Sequence, residues 1–238
     1  MTDPHSKNFE SLRRDLASRY QLAHESVFVG QRRFDLTRVD DTNALVDAID
    51  PATFAVDERL PYWAEIWASS IALAEWVTEM DPANGHQVLE LGCGLGLPGI
   101  AAAAMGATVT LTDYEDDALL FSRCNALENL ETKTVDATMR FVNLDWRKPN
   151  LDRQYSLVLG ADIVYERKNF SALLSVVRAA LKHDGIAVFS EPDRTVGGDF
   201  FTFAAQSGFR LERSTRLAAQ QDRKVSVHIV TMTRTQQG

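Results

Sequence analysis

From residue 87 onward, short apolar runs typical of buried strands alternate with longer helical patterns. The strand candidates are residues 88–91, 109–112, 139–143, 156–160 and 186–190. Repeated βαβ units require a parallel sheet with helices on both faces. Residues 208–217 and 224–233 predict two further strands, whose short connection favours an antiparallel C-terminal hairpin. We therefore predict an α/β fold with a doubly wound, mostly parallel, seven-stranded Rossmann-like sheet.

Residues 1–60 precede this alternating region and predict a separate helical and β extension. Phe9, Leu12, Leu16 and Tyr20 have helical spacing, and two β-prone runs around Gly30 indicate a hairpin or an extended arm. We expect residues 1–60 to pack on a catalytic domain formed by residues 61–238. The extension carries no motif that we can match to a function.

Composition and charge favour a soluble cytoplasmic protein. The sequence contains no run of about 18 apolar residues, as a membrane span requires, and its first residues lack the apolar core of a secretory signal. The formal net charge of −8 disfavours a nucleic-acid partner, because proteins bind nucleic acids largely through lysine and arginine side chains that neutralise phosphates. We expect a monomer that does not associate with membranes.

The cysteines indicate no metal site. Cys93 and Cys124 lack CxxC spacing and have no nearby histidine pair, so neither zinc binding nor a disulfide framework is predicted. We expect both to be reduced thiols that pack in the protein interior.

A glycine-rich turn, residues 90–99, follows the first strand and predicts a ligand site. Its glycines allow a sharp turn and a close backbone approach, and the next helix offers free N–H groups. Residues 94–99 also fit the GxGxxG pattern of dinucleotide-binding proteins, with Asp113 about 20 residues further on. However, Glu90 is poorly placed beside a pyrophosphate and suits a cofactor with a cationic sulfonium. The turn therefore favours S-adenosylmethionine over NAD.

Three aspartates follow successive strands of the predicted sheet. Asp113 could accept hydrogen bonds from ribose hydroxyls or cap the following helix. Asp145 could accept from an adenine amino group or be an ordinary surface carboxylate. Asp162 ends the fourth strand beside the expected methyl position. Because ligands bind at the carboxyl ends of parallel strands, we expect these side chains to meet there.

Residues 61–233 resemble the seven-β-strand methyltransferases. They are most similar to the lysine methyltransferase group called family 16, which includes enzymes that methylate calmodulin, heat-shock chaperones and the valosin-containing ATPase. The resemblance is carried by Trp67, the Glu90-Leu91-Gly92-Cys93-Gly94 turn, Thr112-Asp113, Asn125 and Asn129, Leu144-Asp145-Trp146, and Asp162-Ile163-Val164-Tyr165.

The resemblance implies S-adenosylmethionine as cofactor, a protein substrate and methylation of a lysine nitrogen without a metal. It places Asp162 and Tyr165 at the methyl-accepting pocket as catalytic residues. It assigns Trp67, Glu90 and the glycines to the methionine and ribose region, Asp113 to the ribose, and Asp145 and Trp146 to the adenine. The full cofactor-binding set is Trp67, Glu90, Gly92, Cys93, Gly94, Asp113, Tyr114, Asp145, Trp146 and Ala161.

Three alternatives remain open. A small-molecule amine methyltransferase shares the same core, and a NAD-dependent oxidoreductase uses a similar glycine turn. A non-catalytic adaptor could also retain the fold, although the intact cofactor motifs disfavour it. Methylation of nucleic-acid bases is less favoured, because residues 162–165 do not form an Asn-Pro-Pro-Tyr motif.

Overall fold

The computed structural model describes residues 9–49, 60–80, 85–220 and 223–235. The strands are β1 Leu22–Val29, β2 Arg32–Val39, β3 Gln87–Leu91, β4 Thr108–Asp113, β5 Met139–Asn143, β6 Tyr155–Ala161, β7 Leu181–Glu191, β8 Phe209–Gln220 and β9 Arg223–Arg234. The α-helices are α1 Phe9–Arg19, α2 Thr42–Asp47, α3 Ala68–Met80, α4 Leu97–Ala104, α5 Asp116–Asn129, α6 Thr132–Thr138, α7 Phe170–Ala180 and α8 Thr195–Gln206. Short 3-10 turns occupy Tyr62–Ala64 and Arg167–Asn169.

Seven strands form one sheet in the order β5-β4-β3-β6-β7-β9-β8. The strands from β5 to β7 pair in parallel, whereas β9 is antiparallel to both β7 and β8. The predicted sheet and its C-terminal hairpin are therefore confirmed. Strand order changes direction between β3 and β6, and the crevice at such a point is where open α/β sheets bind ligands.

Two of the helices differ from the sequence patterns. Helix α6 was not predicted, because its sequence Thr-Lys-Thr-Val-Asp-Ala-Thr is polar and buries Val135 alone. The apolar run of residues 71–77 predicts an amphipathic helix, and helix α3, Ala68–Met80, begins before that run. None of the described helices is both long and apolar enough to cross a membrane.

The N-terminal segment contains helix α1 and a separate antiparallel hairpin. Strands β1 and β2 pair throughout, and Gly30 supplies the positive φ, 59°, that the turn between them requires. The hairpin interpretation of this segment is therefore confirmed, and the extended-arm alternative is wrong. The side chains of Val27, Val29, Phe34 and Leu36 are buried, and they belong to the same hydrophobic core cluster as residues of the main domain.

Two asparagines of helix α5 join the hairpin to the main domain. Asn125 accepts a hydrogen bond from the Thr37 N–H at 2.8 Å and donates to the Leu95 carbonyl at 3.1 Å. Asn129 accepts from the Asp35 N–H at 2.9 Å and donates to the Asp35 carbonyl at 2.7 Å. Because Leu95 lies in the glycine-rich turn, Asn125 links that turn to the N-terminal hairpin.

Candidate functional site

A cleft of about 590 Å³ lies at the carboxyl ends of β3, β4 and β6. This volume is within the usual range for small-molecule sites. Nearly all of the predicted site residues line it, namely Trp67, Gly92, Cys93, Gly94, Asp113, Tyr114, Asp145, Trp146, Ala161, Asp162 and Tyr165. The strand-end rule therefore predicted residues that meet at one cleft, and their roles in binding and catalysis stay predictions.

The glycine-rich turn fits tightly against its surroundings. Gly92 and Gly94 have φ values of 61° and 51°, which side-chain-bearing residues rarely adopt. A Cβ at Gly92 would lie 2.8 Å from the Cγ2 of Ile163, and one at Gly94 would lie 3.1 Å from the Trp63 carbonyl oxygen. Both positions therefore require glycine, and the backbone of the turn forms one wall of the cleft.

Glu90 is placed differently from our expectation of direct contact with a ligand. It is 1% exposed and does not belong to the described walls of the cleft. Its Oε2 accepts a hydrogen bond from the Gly99 N–H at 2.8 Å, in the first turn of α4, where backbone N–H groups have no intrahelical partner. Burial raises the pKa of Glu90 to about 8. The carboxyl group thus supports the glycine-rich turn from behind.

Asp113 joins the end of β4 to the same turn. Its Oδ2 accepts from the Gly94 N–H at 2.9 Å, and its Oδ1 accepts from the Glu115 N–H at 3.0 Å. Burial raises its pKa to about 6, although these backbone hydrogen bonds oppose the shift. The residue at the N-cap of α5 is Glu115, so the capping alternative for Asp113 is wrong.

Asp145 and Trp146 form the neighbouring wall. Asp145 forms an ion pair with Arg147 at 2.8 Å, and hydrogen bonding to Arg147 lowers its pKa. The Arg147 guanidinium also lies 5.3 Å from the centre of the Tyr114 ring. The ring of Trp146 lies 3.5 Å from the place that a Cβ on Gly92 would occupy, so it packs directly on the glycine-rich turn.

Asp162 is conformationally unusual. Its φ is 55°, a value uncommon outside glycine and one that marks local constraint. Its carboxylate is nearly buried and faces Arg194, with Oδ1 to Nη1 at 2.9 Å and Oδ2 to Nη2 at 3.2 Å. Burial raises the pKa of Asp162 to about 6, and the charge of Arg194 opposes that rise.

An aromatic cluster borders the cleft near Asp162. The Tyr62 ring lies 6.1 Å from Trp67 and 5.4 Å from Tyr165, edge-on to both. The Trp67 indole N–H donates to the Tyr62 carbonyl at 2.9 Å. Burial, followed by nearby acidic groups, raises the pKa of Tyr165 to about 12, so its phenol stays protonated at neutral pH.

Among the residues that line the cleft, Tyr62, Arg147 and Arg194 carry polar groups that sequence reasoning did not assign to the site. Arg194 follows β7 at a distance of three residues, and the strand-end rule applied to the fifth strand would have drawn attention to it. Arg147 likewise follows the end of β5, by four residues, whereas Tyr62 carries no comparable signal because it lies in a 3-10 turn that precedes the alternating strands.

Comparison with known proteins gives a consistent result. The family model described as lysine methyltransferase matches residues 59–206. Protein N-lysine methyltransferase METTL21A from Danio rerio is 38% identical over 56% of this chain and 62% of its own length. EEF1A lysine methyltransferase 3 from Mus musculus is 32% identical over 72% of each chain. The chain thus spans less than two thirds of the METTL21A relative.

A solved structure with the same fold is a TehB-like SAM-dependent methyltransferase from Corynebacterium glutamicum. It aligns with a TM-score of 0.54 at 18% identity and covers 82% of this chain and 98% of its own. At this identity the likeness concerns the fold alone.

Proposed function

Because this chain belongs to the lysine methyltransferase family, we propose that it transfers a methyl group from S-adenosylmethionine to a lysine nitrogen of a protein substrate. The observation that carries this proposal is the single cleft that joins the glycine-rich turn to Asp113, Asp145 and Asp162. The match to the family supports the reaction class, whereas the acceptor is taken from the names of the relatives.

The residues of the cleft suit S-adenosylmethionine. The tight glycine-rich turn leaves its backbone free to approach a ligand, and two carboxylates on neighbouring strand ends offer acceptors for ribose hydroxyls and an adenine amine. Asp113 already accepts two backbone hydrogen bonds, yet a carboxylate has about four acceptor positions. When bound, the cofactor would supply an electrophilic methyl group on a cationic sulfur.

We assign each part of the cleft a role in binding. Trp67, Gly92 and Gly94 hold the methionine end, Asp113 holds the ribose, and Asp145 with Trp146 holds the adenine. Cys93, Tyr114 and Ala161 complete the wall around the cofactor. Glu90 acts indirectly, because its hydrogen bond to the Gly99 N–H fixes the start of α4.

The acceptor must arrive as a neutral amine. Free lysine has a pKa of about 10.4, so its ammonium group must first release a proton to solvent. The neutral nitrogen would then form a bond to the methyl carbon as the carbon–sulfur bond breaks and S-adenosylhomocysteine leaves. Asp162 orients the amine by accepting an N–H hydrogen bond, and the protonated phenol of Tyr165 lines the path. Holding the nitrogen in line with the methyl group supplies much of the acceleration, because orientation removes most of the entropic cost of the encounter.

The remaining expectations concern the organisation of the protein. We propose that residues 61–238 bind the cofactor and catalyse the transfer, and that residues 1–60 influence substrate choice. We also propose a cytoplasmic monomer that does not bind nucleic acid or membranes, in keeping with the net charge of −8. Light scattering after size-exclusion chromatography measures the oligomeric state.

Two measurements test the function. Calorimetric titration should show binding of S-adenosylhomocysteine and none of NAD; the reverse result would identify an oxidoreductase. Labelling of a cell lysate with tritiated S-adenosylmethionine should then place the label on a protein, at a lysine located by mass spectrometry. Label in the low-molecular-weight filtrate would instead indicate a small amine substrate. Asp162→Asn, which keeps the shape of the side chain, is the control for background labelling.

A further inference from the structure

Arg194 is held over Asp162 by two independent contacts. Its guanidinium faces both carboxylate oxygens of Asp162, at 2.9 and 3.2 Å. Its backbone N–H donates to the Oε2 of Glu191 at 2.8 Å, and Glu191 is 2% exposed. Arg194 is also the N-cap residue of α8, so the helix start fixes its backbone. The pair is therefore a built feature of the cleft.

The groups that surround Asp162 determine how much the positive charge of Arg194 matters for the acceptor pocket. The charges of Glu191 in β7 and of Tyr165 in the loop after β6 interact with that of Asp162, and Asp113 and Glu166 interact with Tyr165. Apart from Arg194, these groups are acidic or neutral. An unbalanced carboxylate among them would stabilise an ammonium ion, whereas methyl transfer needs the neutral amine.

We propose that Arg194 is a positioning residue that neutralises the charge of Asp162, so that the acceptor pocket does not retain a cationic amine. The proposal rests on the proposed function, because it takes Asp162 to face the acceptor nitrogen. Arg194 uses one acceptor position on each oxygen, and a carboxylate has about four. Asp162 can therefore still accept a hydrogen bond from the incoming amine while Arg194 balances its charge.

Two cofactor analogues make the proposal testable without a known substrate. S-adenosylhomocysteine lacks the methyl group, and sinefungin replaces the sulfonium centre with a carbon that carries an amine. The ratio of their dissociation constants, measured by calorimetry at pH 8, therefore reports how strongly the pocket favours a positively charged nitrogen at the transfer position. The affinity for S-adenosylhomocysteine serves as the control for intact cofactor binding.

We expect Arg194→Met to shift this ratio about tenfold in favour of sinefungin, because a carboxylate without its counterion attracts the ammonium group. The double variant Asp162→Asn/Arg194→Met should return the ratio to that of the wild type. Arg194→Gln, which loses the charge and keeps hydrogen-bonding capacity, provides the same measurement if the methionine variant is unstable.

The outcomes separate the two proposals. If S-adenosylhomocysteine binds every variant and the ratio stays unchanged, Arg194 has a merely structural role and this inference is wrong. If the wild type binds neither analogue, the proposed function itself is wrong. A shifted ratio that persists in the double variant would also contradict the inference, because the effect would then not arise from Asp162.

Discussion

Replacing Asn125 with alanine removes the side chain that joins the N-terminal hairpin to the glycine-rich turn. Asn125 and Thr37 are both fully buried, and Leu95 is 5% exposed. In the variant, the Thr37 N–H loses its acceptor and the Leu95 carbonyl loses a donor. A buried polar group left without a partner costs about 1–3 kcal/mol. We therefore expect the free energy of unfolding to fall by about 2–4 kcal/mol, allowing for partial relaxation.

Asn129→Ala is the matched control. Asn129 makes the same kind of backbone hydrogen bonds, to Asp35, but at a partly exposed position where water can replace them. We expect a loss of about 1 kcal/mol for this variant. Urea unfolding followed by tryptophan fluorescence measures both values.

The same two variants test whether the hydrogen bond from Asn125 to Leu95 supports the glycine-rich turn. Asn125 reaches Leu95, whereas Asn129 bonds to Asp35 and to the Asn125 carbonyl. Affinity for S-adenosylhomocysteine should therefore fall more in Asn125→Ala than in Asn129→Ala. A stability loss below about 1 kcal/mol in Asn125→Ala, or equal affinities in the two variants, would refute this reasoning.

Two further predictions concern the glycine-rich turn. The pKa of Glu90 rises from its usual 4.5 to about 8 on folding, so the folded state holds its proton more tightly and stability should decline as pH rises from about 4.5 to 8. Urea titrations across that range should show a smaller decline in Glu90→Gln; an unchanged slope would mean that another group titrates. Gly92→Ala should weaken S-adenosylhomocysteine binding at least tenfold by calorimetry, because φ is 61° and the new Cβ would lie 2.8 Å from Ile163. Gly198→Ala, in helix α8 with open space around its Cβ, should leave binding unchanged, and equal effects of the two changes would contradict the steric argument.

Much of the fold could be predicted because its strands are apolar and buried. Residues such as Val88, Leu89, Leu157 and Val158 are fully buried, and their runs stand out from the polar connections. Helix α6 could not be predicted, since a polar helix with one buried side chain has no apolar stripe. Its position depends on packing beside β5.

Within the site, the sequence predicted which residues lie close together but not whether each side chain points into the cleft or away from it. Glu90 and Asp113 both lie at strand ends, yet Asp113 borders the cleft and Glu90 lies behind the turn. In a strand buried on both faces, the hydrophobic pattern does not tell one face from the other. Arg194 lies at the N-cap of α8 and Tyr62 in a 3-10 turn, and the contacts of both depend on tertiary structure.

The contacts of the β1–β2 hairpin determine how a chimera between this protein and a relative should be designed. A chimera that exchanged this hairpin for that of a relative would also change the partners of Asn125 and Asn129. The backbone groups of Thr37 and Asp35 in the transferred hairpin would have to form hydrogen bonds with the side-chain amides of Asn125 and Asn129. Grafting experiments on substrate choice should therefore transplant the hairpin together with residues 125–129, as one cassette.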